Sequence, residues 1–332
     1  MGFSPEHFQR ATPNLPLGSS VASTGRSASL AYFPRKYWDS GADKWDETVT
    51  NTSFPHYFYY YEADLYISDL LENSRLSLEL GAGTCGSTIN HASPDKKIVA
   101  IDYSPRMLKL GKGRVQNAGL MSHVDLVVAD QCHLPFRDDC FDSVFSRGVA
   151  LSYAKDPQRF SKEANQVLKR NGRLGIDFMN ALVARRTKRK IHRFDQINGA
   201  LYYVEMFNEN GKQKRIGYRL PDNLKPPDDS LKGPFYGGFE SKPDSLNLES
   251  LPKEEWWAVF YTPTEAKRFA REAGFKGIKL YPLGCFTRGL QNPSLVAFLQ
   301  ENRDSLSRLQ KEMAGIFRMD SAVHIFMTAE KS

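Results

Sequence analysis

Residues 76–102 constrain the fold of this chain more tightly than any other stretch. Leu76, Leu78 and Leu80 form an apolar run of the kind that makes a buried parallel strand, Gly81, Gly83 and Gly86 follow at the G-x-G-x-x-G spacing, and residues 87–92 begin a short helical stretch. A strand-to-helix turn follows from that order: the first glycine permits the turn, and the second lets a ligand approach the backbone. The helix start then presents unpaired N–H groups. A second apolar strand over residues 97–101 runs into Asp102, where a carboxylate can accept both hydroxyls of a ribose. A glycine turn by itself is common and often purely structural. The strand before it, the helix after it and the acid at the end of the next strand make this one a nucleotide loop, with the nucleotide still open.

Four further features narrow that choice. Glu79 stands two residues before Gly81, giving Glu-Leu-Gly-Ala-Gly. Residues 124–129 read as a strand closing on Asp130, followed by Gln131-Cys132-His133-Leu134-Pro135-Phe136. Phe141-Asp142-Ser143-Val144 begins the next strand, and Val167-Leu168-Lys169-Arg170-Asn171-Gly172-Arg173-Leu174 turns into the one after it. In order and spacing these motifs resemble class I S-adenosylmethionine-dependent methyltransferases with a type 11/25-like core, rather than nicotinamide dehydrogenases. Gln131 takes the place of the family's Ala, and Arg170-Asn171 that of its Pro-Gly pair. Asn tolerates a left-handed backbone, so the turn at Asn171 should persist.

The resemblance implies an α/β, Rossmann-like fold: a seven-stranded, mostly parallel sheet with an antiparallel last strand. It implies S-adenosylmethionine as cofactor, with a binding set of Glu79, Gly81, Ala82, Gly83, Gly86, Asp102, Tyr103, Met107, Asp130, Gln131 and Arg147. Asp130 would meet the adenine amino group. The family also folds the segment before its first strand over the cofactor, and Tyr37-Trp38-Asp39 with Trp45-Asp46 resembles its aromatic–Asp pattern. Most rings of the aromatic block from Tyr32 to Tyr66 read as packing; one near a sulfonium would add cation–π attraction.

The chain has 332 residues, 41% of them hydrophobic, enough for one sizeable core with an appended lobe. No apolar run approaches the roughly 20 residues of a bilayer span. Cys85, Cys132, Cys140 and Cys285 show neither metal spacing nor dense pairing, which points to a reducing, cytoplasmic setting and to no metal site. The expected organisation is a flexible tail over 1–30, a cofactor core with an N-terminal lid over 31–180, an inserted lobe over 181–256, and completion of the core over 257–332. The tail is acid-poor, as a transit peptide is, but lacks an arginine-rich amphipathic helix.

The lobe reads as a β-hairpin, residues 201–208 and 212–220 around Asn210-Gly211, followed by a Pro- and Gly-rich loop. Residues 181–220 hold ten Lys or Arg against three acids, a surplus equal to the whole chain's net charge of +7. Arg185, Arg186, Lys188, Arg189 and Lys190 form either a solvated face or a surface for an anionic partner such as RNA. Past the lobe, Thr262 caps a helix with Pro263 and Glu265 behind it, strands follow over 276–283 and 322–329, and Leu295, Phe298, Leu299, Leu306, Leu309, Met313 and Phe317 trace an apolar stripe. That stripe reads as facing its own domain, with a dimer seam as the alternative.

On the acceptor side, Ser146-Arg147-Gly148 through Tyr153-Ala154 resembles a stretch of glycine and sarcosine N-methyltransferases, which would put Arg147 and Tyr153 beside the methyl donor. The competing reading pairs Arg147 with Glu163 or Asp130 and packs Tyr153. Met179 stands where those enzymes carry the Arg that holds an amino-acid carboxylate, so glycine does not follow as substrate. The expected function is methyl transfer to a small-molecule N or O acceptor. The alternatives are a tRNA methyltransferase using the basic lobe and a non-catalytic S-adenosylmethionine-binding protein. Displacement at a sulfonium needs alignment more than a base; for a hydroxyl acceptor, His133 and Tyr153 are the candidates to take the proton.

Overall fold

A computed structural model describes residues 35–50, 58–184, 192–197, 200–209, 212–219, 257–285, 301–315, 319 and 322–332. The tail over 1–30, the basic run 185–190, the Asn210-Gly211 turn, the loop over 221–252 and, of the apolar stripe, Leu295, Phe298, Leu299 and Phe317 lie outside them. Helices α1 (Arg35–Thr50) and α2 (Phe58–Leu70) precede the alternating core: β1 (Leu76–Leu80), α3 (Gly86–His91), β2 (Lys97–Asp102), α4 (Pro105–Asn117), β3 (Val124–Val128), β4 (Phe141–Ser146), α5 (Pro157–Val167) and β5 (Leu168–Met179). A short helix, α6 (Ala181–Ala184), leads to β6 (His192–Ile197), β7 (Ala200–Glu209), β8 (Lys212–Arg219) and β9 (Trp257–Val259). The chain returns through α7 (Pro263–Glu272), β10 (Phe275–Leu283), α8 (Arg303–Glu312) and β11 (His324–Lys331).

Seven strands form one sheet in the order β10-β11-β5-β4-β1-β2-β3. The pairs from β5 to β3 are parallel, and β11 runs antiparallel to both β5 and β10, so the mixed sheet has the expected form. Parallel strands covered on both faces need apolar side chains on both. One face packs Phe160, Ala164 and Val167 of α5 and Phe269 and Ala270 of α7. The other packs Ala63, Ile67 and Leu70 of α2 and Leu108 and Val115 of α4. β5 begins at Leu168, pairing it with Phe141 before a register shift, and Asn171 adopts φ 60°. The hairpin β7–β8 pairs Glu209 with Lys212 and belongs to a second sheet, β6-β7-β8-β9, whose outer strands were not foreseen.

α7 starts with a complete capping box: Glu265 N–H donates to the Thr262 hydroxyl, and Thr262 N–H to the Glu265 carboxylate. α8 corrects the expected stripe. It does pack on α2, yet Leu309 is 42% exposed while Ser307 and Gln310 are buried. Its inner face is set one position round because Gln310 meets a buried acid. Glu62 of α2 accepts from Gln310 Nε2 at 2.6 Å and from Gly284 N–H at 2.7 Å, both on Oε2. Among the described residues, Glu62 Oε1 and Gln310 Oε1 have no hydrogen-bond partner. Burial, only partly opposed by those two hydrogen bonds, pushes the Glu62 carboxyl up to about 8.

Candidate functional site

The glycine loop stands at the carboxyl end of β1, in the middle of the sheet, where a parallel fold opens its crevice. Gly81 and Gly83 have φ of 66° and 53°, backbone that a side chain rarely adopts. A Cβ on Gly81 would stand 3.0 Å from the Cβ of Ala150, and one on Gly83 would stand 3.4 Å from the Trp45 indole nitrogen. Gly83 N–H donates to Asp102 Oδ2 at 2.8 Å, and Ser104 N–H donates to Oδ1 at the same distance. Tyr103 N–H also meets the carboxylate, and of its roughly four lone-pair sites that leaves one for a ligand. Desolvation pushes Asp102 up to about 6 against those bonds.

Gly86 has a different task from the other two glycines. A Cβ there would come within 2.7 Å of a terminal guanidinium nitrogen of Arg147, so the third glycine admits an arginine. Arg147 does not pair with Glu163 or Asp130. It donates to Asp64 of α2, which also accepts from Ser87 Oγ, Asn90 Nδ2 and His91 Nε2. Glu163 instead accepts from Leu134 N–H at 2.8 Å. The Arg147 guanidinium also lies 5.3 Å from the centre of the Tyr60 ring. Asp64 escaped the sequence reading. Its only signal was an acid on the same helical face as Tyr60, Ala63 and Ile67, positions otherwise buried.

A cleft of about 1050 Å³, including space open to solvent, joins these groups. Of the expected set, Glu79, Gly81, Ala82, Gly83, Gly86, Asp102, Tyr103, Met107, Asp130, Gln131, Arg147 and Tyr153 all line it. Glu79 is only 1% exposed beneath the loop, accepts from Thr88 Oγ1, and is pushed up to about 8 by burial. Asp130 Oδ1 accepts from Cys132 N–H at 2.8 Å, and Gln131 Nε2 donates to Ala150 O at 2.8 Å. His133 is not brought to the cleft. Its half-exposed ring stands with Nδ1 3.4 Å from Asp130 Oδ2.

α1 closes one side. Asp39, Asp43 and Asp46 recur at helical spacing along it and meet α4: Asp39 accepts from Ser104 Oγ and Arg106 N–H, Asp43 pairs with Arg106 at 2.7 Å, and Asp46 pairs with Arg114 at 3.1 Å. Trp38 and Trp45, seven residues apart, share the neighbouring face and line the cleft. Trp38 meets Tyr153 edge-on with ring centres 5.1 Å apart. Tyr60 of the aromatic block joins the lining, and Thr84, Ser87, Ala129, Gly148, Ala150 and Lys155, which the sequence did not single out as site residues, complete it.

Residues 78–176 match a family model described as a methyltransferase domain. A demethylmenaquinone methyltransferase of Lactobacillus johnsonii is 31% identical over 103 residues, which make up 30% of this chain and 42% of that one. Another, from Thermobifida fusca, is 32% identical over 139 residues, or 42% of this chain and 58% of that one. The chain thus spans about half the length of these curated relatives. A solved structure from Thermotoga maritima, titled a SAM-dependent methyltransferase and possible histamine N-methyltransferase, has a similar fold. It aligns at TM-score 0.50 and 15% identity over 90% of this chain and 99% of that one.

Proposed function

We propose that this chain, whose residues 78–176 match a methyltransferase domain, is a class I S-adenosylmethionine-dependent methyltransferase that transfers a methyl group from S-adenosylmethionine to a small-molecule nitrogen or oxygen acceptor. The observation that carries this reading is Asp102: its carboxylate is held by Gly83 N–H and Ser104 N–H with acceptor capacity left over, directly beside a loop whose Gly81 and Gly83 take left-handed backbone and whose Gly81 and Gly86 are closely packed. That cradle fits a ribose. Asp102 binds the ribose hydroxyls, Asp130 and Gln131 meet the adenine, and Glu79 supports the loop from below. Arg147, fixed by Asp64, sets the far wall. Tyr103 and Met107 border the cofactor half. Bound, the cofactor supplies an electrophilic methyl group; the chain's part is to exclude water and align the acceptor with it.

Trp38, Trp45, Tyr60 and Tyr153 give the cleft an aromatic wall suited to a small organic acceptor. The activity on demethylmenaquinone named for the curated relatives favours a small molecule over RNA. For a hydroxyl acceptor Tyr153, which lines the cleft, is the better placed of the two candidate bases. The free cysteines support a reducing, cytoplasmic setting. Calorimetry with S-adenosylhomocysteine, S-adenosylmethionine and NAD tests the assignment. Binding of the first two and not the third is expected, and tight NAD binding with no response to S-adenosylhomocysteine would reverse it.

A further inference from the structure

β4 ends its pairing with β5 at Ser146 opposite Ile176, and the chain then leaves the sheet through Arg147, Gly148, Val149 and Ala150. Two consecutive residues of this turn are left-handed, Gly148 at φ 99° and Val149 at φ 61°, ψ 36°. Glycine takes such a backbone freely. For a β-branched residue it is a rare and strained conformation, one that persists only where the surroundings impose it. The next residue along β5 is Asp177, completely buried, and its carboxylate faces the turn. Val149 N–H donates to Oδ1 at 2.8 Å and Gly148 N–H to Oδ2 at 3.1 Å. Successive N–H groups in such a turn form a concave anion site, and here the chain fills it with its own side chain.

We propose that Asp177 is a positioning residue, whose carboxylate holds the left-handed Gly148–Val149 turn and thereby sets Arg147 and Ala150 against the glycine loop. The inference rests on the reading of the cleft as the cofactor site. Asp177 does not line the cleft, so it acts through the turn and not on a ligand. The turn carries three contacts that shape the site: Arg147 reaches Asp64 beneath Gly86, Ala150 O accepts from Gln131, and Ala150 Cβ occupies the space a Gly81 side chain would need. Behind Asp177, His324 Nδ1 stands 3.9 Å from Oδ2, and the Tyr59 ring packs on the His324 ring at 4.1 Å. Burial raises the Asp177 carboxyl to about 6, with the two amide hydrogen bonds opposing.

A double-mutant cycle read by S-adenosylhomocysteine calorimetry tests this. Asp177→Asn keeps the size but turns an NH₂ toward one of the two amides, and should weaken binding at least tenfold. Val149→Gly removes the side chain that makes the turn strained, and in that background adding Asp177→Asn should weaken binding less than threefold. A loss within twofold for Asp177→Asn alone, or the same loss in both backgrounds, overturns the proposal. If Val149→Gly does not fold because it empties a buried site, Val149→Asn takes its place, since Asn also accepts left-handed backbone. Amide hydrogen exchange separates this proposal from the cofactor assignment. Protection of Gly148 and Val149 should fall at least tenfold in Asp177→Asn whether or not the wild type binds S-adenosylhomocysteine, and unchanged protection refutes the role of Asp177 alone.

Discussion

Glu62→Gln should make the protein more stable at pH 8 while leaving it nearly unchanged at pH 5. Oε2 of Glu62 already accepts two N–H groups, and its Oε1 and the Oε1 of Gln310 have no partner among the described residues. A buried carboxylate with an oxygen that no donor meets is costly. The neutral acid removes that charge, and so does a glutamine at position 62. A raised folded-state pKa means that the native state holds a proton the unfolded chain has released. Stability from this group is therefore complete below the ordinary value of 4.5 and drains away as pH rises to about 8. At about 1.36 kcal/mol per pH unit, that span corresponds to an upper bound on the order of 5 kcal/mol, reduced by whatever relaxation follows ionisation. Urea unfolding of both proteins at pH 5, 6, 7 and 8 measures it. Other titrating groups, Glu79 included, belong to both proteins and cancel in the difference. The two curves should coincide near pH 5 and separate by several kcal/mol at pH 8, the variant being the more stable. A variant that is less stable at every pH, or a difference that does not change with pH, would show that Glu62 is buried as a carboxylate and would falsify the neutral-acid account.

Three other substitutions probe the site and its frame. Asp102→Asn exchanges one acceptor for a donor facing Gly83 or Ser104 N–H, and should weaken S-adenosylhomocysteine binding about 10- to 100-fold by calorimetry, the loss expected for hydrogen bonds to a charged partner. Gly86→Ala drives a methyl group against the Arg147 guanidinium that Asp64 holds, and should lower Tm by roughly 3–8 °C; adding Arg147→Lys, which lacks the second nitrogen, should recover part of that. Thr262→Ala opens the capping box of α7 and should cost about 1 kcal/mol in urea unfolding, with no change in S-adenosylhomocysteine affinity.

What the sequence disclosed was whatever its periodicity or punctuation encodes locally. The Leu76–Leu80 strand, the two left-handed glycines, Asp102 at the end of β2 and the Thr262 cap were all legible, because each depends on a few neighbouring residues. Asn171 in a family Pro-Gly position was legible for the same reason. The partner of Arg147 was not. Asp64 lies 83 positions earlier, and nothing in its neighbourhood marks it as the acid that meets an arginine from beyond β4. The task of Gly86 was hidden with it, since a glycine required by a distant side chain looks the same as one required by a turn. α8 shows a third kind of failure. Its apolar spacing correctly indicated a helix packed on its own domain, but the buried face was chosen by Glu62, which gives Gln310 a place that no count of apolar residues would assign to it.

The way α1 is attached bears on traffic through the cleft. Trp38 and Trp45 border the cleft, yet among the described residues of α1 only Ala42 is fully buried, and beside the Asp39 hydrogen bonds the helix is tied to α4 by an exposed Asp43–Arg106 pair and a partly buried Asp46–Arg114 pair. Exposed pairs of this kind contribute little individually and are screened within about 10 Å at 0.1 M salt. Ionic strength should then act as a throttle on exchange. Raising salt is expected to loosen the Asp43–Arg106 fastening before it disturbs the apolar core, so that a bound nucleotide leaves sooner while the sheet beneath keeps its shape.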